Sequence, residues 1–166
     1  MCIFVIGFMG SGKSFWGRKW ADKFNFRFID LDEVIENQTG ETILQIFEKE
    51  GETAFRHLER KTLENLVNEK DVIIACGGGT PCFFDNIQMM NNHGKTVYLK
   101  ASANQIISRI SLELHKRPLL KNLNDDELKS FIDDKLKERE PYYFQATITV
   151  PVDAVNENSI QSFINA

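Results

Sequence analysis

Residues 7–14 read Gly-Phe-Met-Gly-Ser-Gly-Lys-Ser, and few stretches of eight restrict a fold as tightly. They fit G-x-x-x-x-G-K-[ST], a pattern with mechanical meaning where a strand runs into a glycine turn and a helix follows. Both flanks comply, with the apolar run Cys2–Ile6 ahead and a helix-like stretch, 15–23, behind. Such a turn aims backbone N–H groups and a helix N-terminus at phosphate oxygens. Gly10, Ser11, Gly12, Lys13, Ser14 and Phe15 are therefore the candidates to face a nucleotide's phosphates. Lys13 would act as a point charge on the outer phosphates, and the Ser14 hydroxyl would occupy one position around Mg²⁺, which takes oxygen ligands in octahedral geometry. With Lys and Ser in register, the stretch reads as a phosphate site rather than a turn that merely reverses the chain.

The rest of the chain alternates strand-like and helix-like segments. Residues 26–29 are β-prone and end at Asp30-Leu31-Asp32, which puts two carboxylates at the C-terminal end of a strand, the edge where open α/β sheets bind ligands. Two arrangements are open. An extended Asp30-Leu31-Asp32 projects both acids to one side, whereas a helix starting here makes one an N-cap and the other a first-turn acid. A short amphipathic helix around 41–47 breaks near Gly51, and a longer one follows from Glu52 with Phe55, Leu58, Leu63, Leu66 and Val67 on one face. Arg56 and Glu59 lie off that stripe at i, i+3, where a solvated surface pair is the plain alternative to a functional one. Residues 72–75 are continuously apolar, as in a strand buried on both faces. Gly77-Gly78-Gly79 then implies either close approach of another group to the main chain or an ordinary loop. Cys76, with no His nearby in sequence, reads as a small buried residue.

Further along, residues 83–92 suggest a helix, 96–99 a strand and 102–114 a helix capped by Ser102. The basic, aperiodic stretch 115–122 carries Arg117-Pro118. It reads as part of a mobile lid, about 112–124, with Arg117 reaching the phosphates, or as a solvated loop. Residues 125–139 form a helical pattern that Pro141 is expected to stop, followed by a strand at 146–150 and a terminal helix at 160–164. This alternation calls for a parallel sheet with helices on both faces and leaves the strand order open.

At 166 residues the chain fits a single domain, 1–166, able to bury roughly 70% of its unfolded surface. A net charge of −4 lacks the basic excess of a nucleic-acid binder. Three cysteines without C-x-x-C spacing suggest neither a disulfide framework nor a zinc site, and a reducing cytosol suits them. No room for a signal peptide and no apolar run of ~18 residues argue for a cytoplasmic protein away from membranes. Nothing in the residues demands more than a monomer.

Taken together, the landmarks resemble shikimate kinases, P-loop phosphotransferases of the nucleoside monophosphate kinase type. They are the P-loop at 7–14, Asp30-x-Asp32, Phe55-Arg56 with Glu59, Gly77-Gly78-Gly79, Arg117-Pro118-Leu119-Leu120, and Arg139 followed by Pro141 and Tyr143. The resemblance spans nearly the whole chain. It implies a three-layer α/β fold with a central five-stranded parallel sheet and a lid, and transfer of the ATP γ-phosphoryl group to the 3-hydroxyl of shikimate in aromatic amino acid biosynthesis. It assigns shikimate to Asp32, Arg56, Gly78 with its flanking Gly77 and Gly79, and Arg139. It assigns ATP to the P-loop and Arg117, and Mg²⁺ to Ser14, with Asp30 acting through water. The chemistry agrees, since guanidinium forks grip a carboxylate and an aspartate accepts from alcohols and takes a proton from the attacking one. On this basis Lys13, Asp32 and Arg117 are the expected catalytic groups.

The sequence departs from the family pattern in places. Phe15 stands where a small hydroxyl residue is usual, which implies different packing behind the loop. Ala75-Cys76 replaces a common Ser or Thr before the glycines, and residues 152–158 lack an arginine for adenine, a part assigned instead to Arg109 as a stacking partner. A gluconate kinase and a catalytically silent nucleotide-binding regulator are the competing readings; the arginine and glycine landmarks favour shikimate.

Overall fold

A computed structural model describes residues 1–112 and 120–165. Its elements in chain order are β1 (Cys2–Ile6), α1 (Lys13–Phe24), β2 (Arg27–Asp30), α2 (Leu31–Thr39), α3 (Ile43–Leu66), β3 (Val72–Ala75), α4 (Asn86–His93), β4 (Lys95–Lys100), α5 (Ala103–Ile110), α6 (Asp125–Tyr143), β5 (Ile148–Pro151) and α7 (Gln161–Ile164), with a 3₁₀ turn at Thr80–Cys82. The five strands form one sheet in the order β2-β3-β1-β4-β5, and every pairing is parallel.

Sequence and position agree strand by strand. β1 and β3, the two apolar runs, are buried at every residue because helices cover both sheet faces. β4 keeps only its terminal lysines exposed, whereas the edge strands β2 and β5 are half-open and carry polar residues. The central position of β1 places the P-loop at the middle of the sheet's C-terminal edge, with the turns after β3 and β4 on either side.

The helices are punctuated by their own residues. Thr42, Ser102 and Asn124 each close a reciprocal capping box at the start of α3, α5 and α6. Gly51, at φ 84°, breaks α3 where the sequence suggested two helices. The expected stop at Pro141 does not occur, and α6 continues to Tyr143. Proline removes a single N–H from the ladder, and Phe144 N–H still donates to Glu140 O at 2.9 Å. Burial of Tyr143 against Tyr98, with ring centroids 4.9 Å apart, holds the last turn in place.

Residues 113–119, and with them Arg117 and most of the lid expected at 112–124, lie outside those described. No helix among the described residues is long and apolar enough to cross a membrane.

One glycine ties the sheet to its helical cover. A Cβ on Gly94, at the end of α4, would sit 2.2 Å from the carbonyl oxygen of Cys2, a backbone atom that no rotamer change can move. Gly94→Ala should therefore cost about 2–3 kcal/mol of stability, read from the urea midpoint at unchanged m-value.

Candidate active site

The phosphate end is built by backbone geometry. Gly12 holds φ 90° as the residue before α1, a left-handed conformation open to glycine at little cost, and it lets the chain turn straight into the helix. The first N–H groups of α1 thus open onto the cleft at the sheet edge. Lys13 curls back over the loop, its Nζ donating to the Phe8 carbonyl at 2.9 Å. Ser11 is fully buried beneath it. Arg109, from the last turn of α5, donates from Nη1 to the Gly10 carbonyl at 3.2 Å and lies against Gly12. Its place is beside the loop, on the side away from β3.

Asp30 settles the two arrangements left open by Asp-Leu-Asp. It is the N-cap of α2: its Oδ1 accepts from the Asp32 N–H at 3.1 Å, while Oδ2 accepts from the Ser14 hydroxyl at 2.7 Å. The extended alternation is therefore incorrect, and Asp32 reaches the cleft from the first helical turn. The cap fixes one carboxylate oxygen and leaves the other to hold Ser14. This hydroxyl and carboxylate are both hard oxygen donors, and they fit Mg²⁺, whose remaining positions are commonly water and phosphate oxygens. Among the described residues there is no group of three His, Cys, Asp or Glu gathered for a metal. A site completed by phosphate does not require one.

The second end is organised by Gly77, Gly78 and Gly79. None of the three has positive φ, so backbone freedom does not explain them. Space does. A Cβ on Gly77 would lie 3.2 Å from both Asp32 Oδ1 and Glu59 Oε1, one on Gly78 would lie 3.2 Å from Arg139 Nη1, and one on Gly79 would meet the Arg56 guanidinium at 2.5 Å. Four ionisable side chains from α2, α3 and α6 thus press against one glycine turn.

Arg56 and Glu59 are not a surface pair. Their side chains are 9% and 1% exposed and bonded at 3.0 Å. Glu59 also accepts from Thr80 Oγ1 at 2.5 Å, and the guanidinium lies 4.1 Å above the Phe83 ring. Packing of the 3₁₀ turn over α3 buries a second face of that helix, which the apolar stripe did not reveal. Arg139 is half-buried, 5.4 Å from the centre of the Phe8 ring.

A cleft of about 640 Å³ joins the two ends, with Lys13, Ser14, Asp30, Asp32, Gly77 and Gly78 among its walls. Arg56, Gly79 and Arg139 adjoin it through the glycine turn. Asp32 faces an unusual environment: burial foremost, then the Asp30 and Glu59 carboxylates, push its pKa from 3.8 up to about 6, against an opposing pull from Lys13. Cys76 is buried, and its thiol is raised well above the ordinary value, chiefly by that burial. This agrees with a packing role. Phe15 is 58% exposed at the cleft, so it does not pack behind the loop. Trp16 takes the inner position, 3.4 Å from a Cβ on Gly12. Sequence reasoning gave no part to Tyr143 beyond the resemblance; its hydroxyl donates to the Gly78 carbonyl at 2.5 Å. The one available signal was its position four residues after Arg139, on the same helix face.

The family model and the curated relatives name one family. The family model described as shikimate kinase matches residues 9–166. The shikimate kinase of Parabacteroides distasonis is 41% identical over 165 residues, covering 99% of this chain and 95% of that protein. Among solved structures, the shikimate kinase from Bacteroides thetaiotaomicron superposes with a TM-score of 0.86 at 37% identity, covering 99% of this chain and 94% of that one. The Acinetobacter baumannii enzyme in complex with shikimate gives 0.83 at 34% identity, with 99% and 90% covered. A deoxyadenosine kinase from M. mycoides, 18% identical with a TM-score of 0.61 over the full length of both chains, shares the P-loop α/β fold. On the match from residue 9 to the C-terminus and on relatives at this identity, the chain belongs to the shikimate kinase family.

Proposed function

We propose that Asp32, Arg56, Arg139 and the turn at Gly77, Gly78 and Gly79 hold shikimate, and that the P-loop, Arg109 and Arg117 hold ATP. The activity is ATP-dependent phosphorylation of the 3-hydroxyl of shikimate, in aromatic amino acid biosynthesis. The observation that supports this site best is the crowding of Asp32, Arg56 and Arg139 against one glycine turn, across a shared cleft from Lys13. Two guanidinium groups suit the substrate's carboxylate, and the aspartate suits its ring hydroxyls.

In this arrangement the backbone N–H groups from Gly10 to Phe15 and the Lys13 ammonium hold the phosphate chain. Ser14 and, through water, Asp30 would hold Mg²⁺, which supplies charge neutralisation at the phosphate oxygens when bound. Asp32 accepts the hydrogen bond of the attacking hydroxyl and takes its proton as the oxygen bonds to the γ-phosphorus. The bond to the bridging oxygen breaks, and ADP carries the electron pair away. A carboxylate held near pKa 6 is a better proton acceptor than an ordinary one and remains mostly ionised at neutral pH. If the transition state is loose, orientation by the two arginines and charge balance by Lys13 carry most of the rate. Arg117 belongs to the nucleotide side on the strength of the Arg-Pro-Leu-Leu landmark. We also read the chain as a single cytoplasmic kinase domain acting as a monomer, without nucleic-acid or membrane partners.

A coupled assay of ADP release tests the activity. Shikimate should support turnover and gluconate should not; the reverse would refute the substrate. Arg139→Ala should raise the shikimate KM by about 10–100-fold through loss of a charged hydrogen bond, leaving the ATP KM unchanged. An unchanged shikimate KM would contradict the acceptor site. Lys13→Ala should lower kcat by about 10²–10³-fold.

Asp32 also makes a stability prediction. Its folded-state pKa is raised from 3.8 to about 6, so the folded protein binds that proton more tightly than the unfolded chain, and ionisation costs stability progressively across that interval and in full above pH 6. Without metal or nucleotide, Asp32→Asn should gain about 1–2 kcal/mol at pH 7.5 after allowance for partial solvent contact. That gain should shrink as pH falls from 6 toward 4, while turnover is lost at every pH.

A further inference from the structure

Gly78 is gripped twice by α6. Arg139 lies against its α-carbon, where a Cβ would meet Nη1 at 3.2 Å, and one helical turn later the Tyr143 hydroxyl donates to its carbonyl at 2.5 Å. The tyrosine is wholly buried, with its ring packed at a tilt of 35° against Tyr98, centroids 4.9 Å apart, so the hydroxyl is held in place by its own ring. Burial also pushes its pKa up, against a lowering by Arg139, which keeps it a donor across the working range. Such a bond determines more than one carbonyl. The peptide linking Gly78 to Gly79 is trans and planar, so its N–H points opposite to its C=O. Fixing the carbonyl on Tyr143 turns the Gly79 N–H away from α6. No described group accepts from that N–H, and Gly79 is the residue against which the Arg56 guanidinium packs.

We infer that Tyr143 is a positioning residue of the acceptor site: by holding the Gly78 carbonyl it sets the Gly79 N–H beside Arg56 as a further donor for the substrate's carboxylate. The inference rests on the acceptor-site reading above and adds a residue that does not itself touch substrate. It also gives a reason for α6 to run through Pro141, since a helix ending there would stop short of the hydroxyl that orients the turn.

The test compares Tyr143→Phe with Tyr98→Phe. Both keep the ring pair and remove one hydroxyl, but the Tyr98 hydroxyl faces Glu140 at 3.4 Å rather than the glycine turn. Shikimate affinity is measured by calorimetric titration, together with steady-state KM and kcat for both substrates. Tyr143→Phe should weaken shikimate binding and raise its KM by about five- to twentyfold, with the ATP KM within about twofold of the parent. Tyr98→Phe should leave shikimate binding unchanged. Combined with Arg56→Lys, the Tyr143→Phe loss should be less than additive, because both act on one donor cluster. Unchanged shikimate affinity in Tyr143→Phe, or equal losses for both substrates or in both tyrosine variants, would overturn the inference. Failure of the parent protein to bind shikimate would bring down the acceptor-site reading and this inference together, whereas normal binding by parent and Tyr143→Phe alike removes the inference alone.

Discussion

Three α-carbons without side chains decide the shape of this site. At 77–79 the main chain passes so close to Asp32, Glu59, Arg56 and Arg139 that any Cβ would meet a carboxylate or guanidinium at 3.2 Å or less. Each of those groups comes from a helix anchored elsewhere, and their convergence depends on the turn leaving them room. A buried ion pair contributes little net stability, because desolvation offsets most of the Coulombic gain. Arg56 and Glu59 therefore owe their placement to geometry: the pair is bracketed by Thr80, Phe83 and the glycines. The 3₁₀ turn that follows the glycines closes the bracket.

The electrostatics divide along the same line. The P-loop side presents N–H groups, a helix N-terminus and Lys13 to a polyanion. The opposite wall gathers Asp30, Asp32 and Glu59 within reach of one another, and the shared burial and repulsion raise Asp32. A raised carboxylate costs stability in the resting protein. It is retained where function needs a proton acceptor near neutral pH, a pattern common at active sites. Asp30 links the halves, capping α2 with one oxygen and holding Ser14 with the other.

Much of this was legible in the residue order. The P-loop, its strand and its helix followed from glycine spacing and one apolar run, because those features act locally. The break at Gly51 and the cap at Ser102 were equally local, whereas the cap at Thr42 emerged only with the structure. The residue order misled at one helix end and left two further choices open, each decided by the surrounding structure. Pro141 is a sound stop signal in isolation, yet burial of Tyr143 two residues later carried α6 past it. The Arg56–Glu59 spacing looks the same on a solvated helix as on a buried one, and only the turn packed over α3 distinguishes them. Asp30-Leu31-Asp32 allowed two backbones, and the start of α2 chose between them.

By itself, then, the chain's sequence determined that a phosphate-binding turn would follow a buried strand and that the sheet would be parallel, conclusions that rest on periodicity and glycine spacing written along the backbone. The grouping of Asp32, Arg56, Arg139 and the glycines into one acceptor site was what the family resemblance implied, not what any segment's pattern showed. The strand order, the depth at which Arg56 and Glu59 sit, the raised Asp32 and the bond from Tyr143 to Gly78 were decided by tertiary structure. Burial and through-space distance set each of these, and neither is a property of any segment until others pack against it.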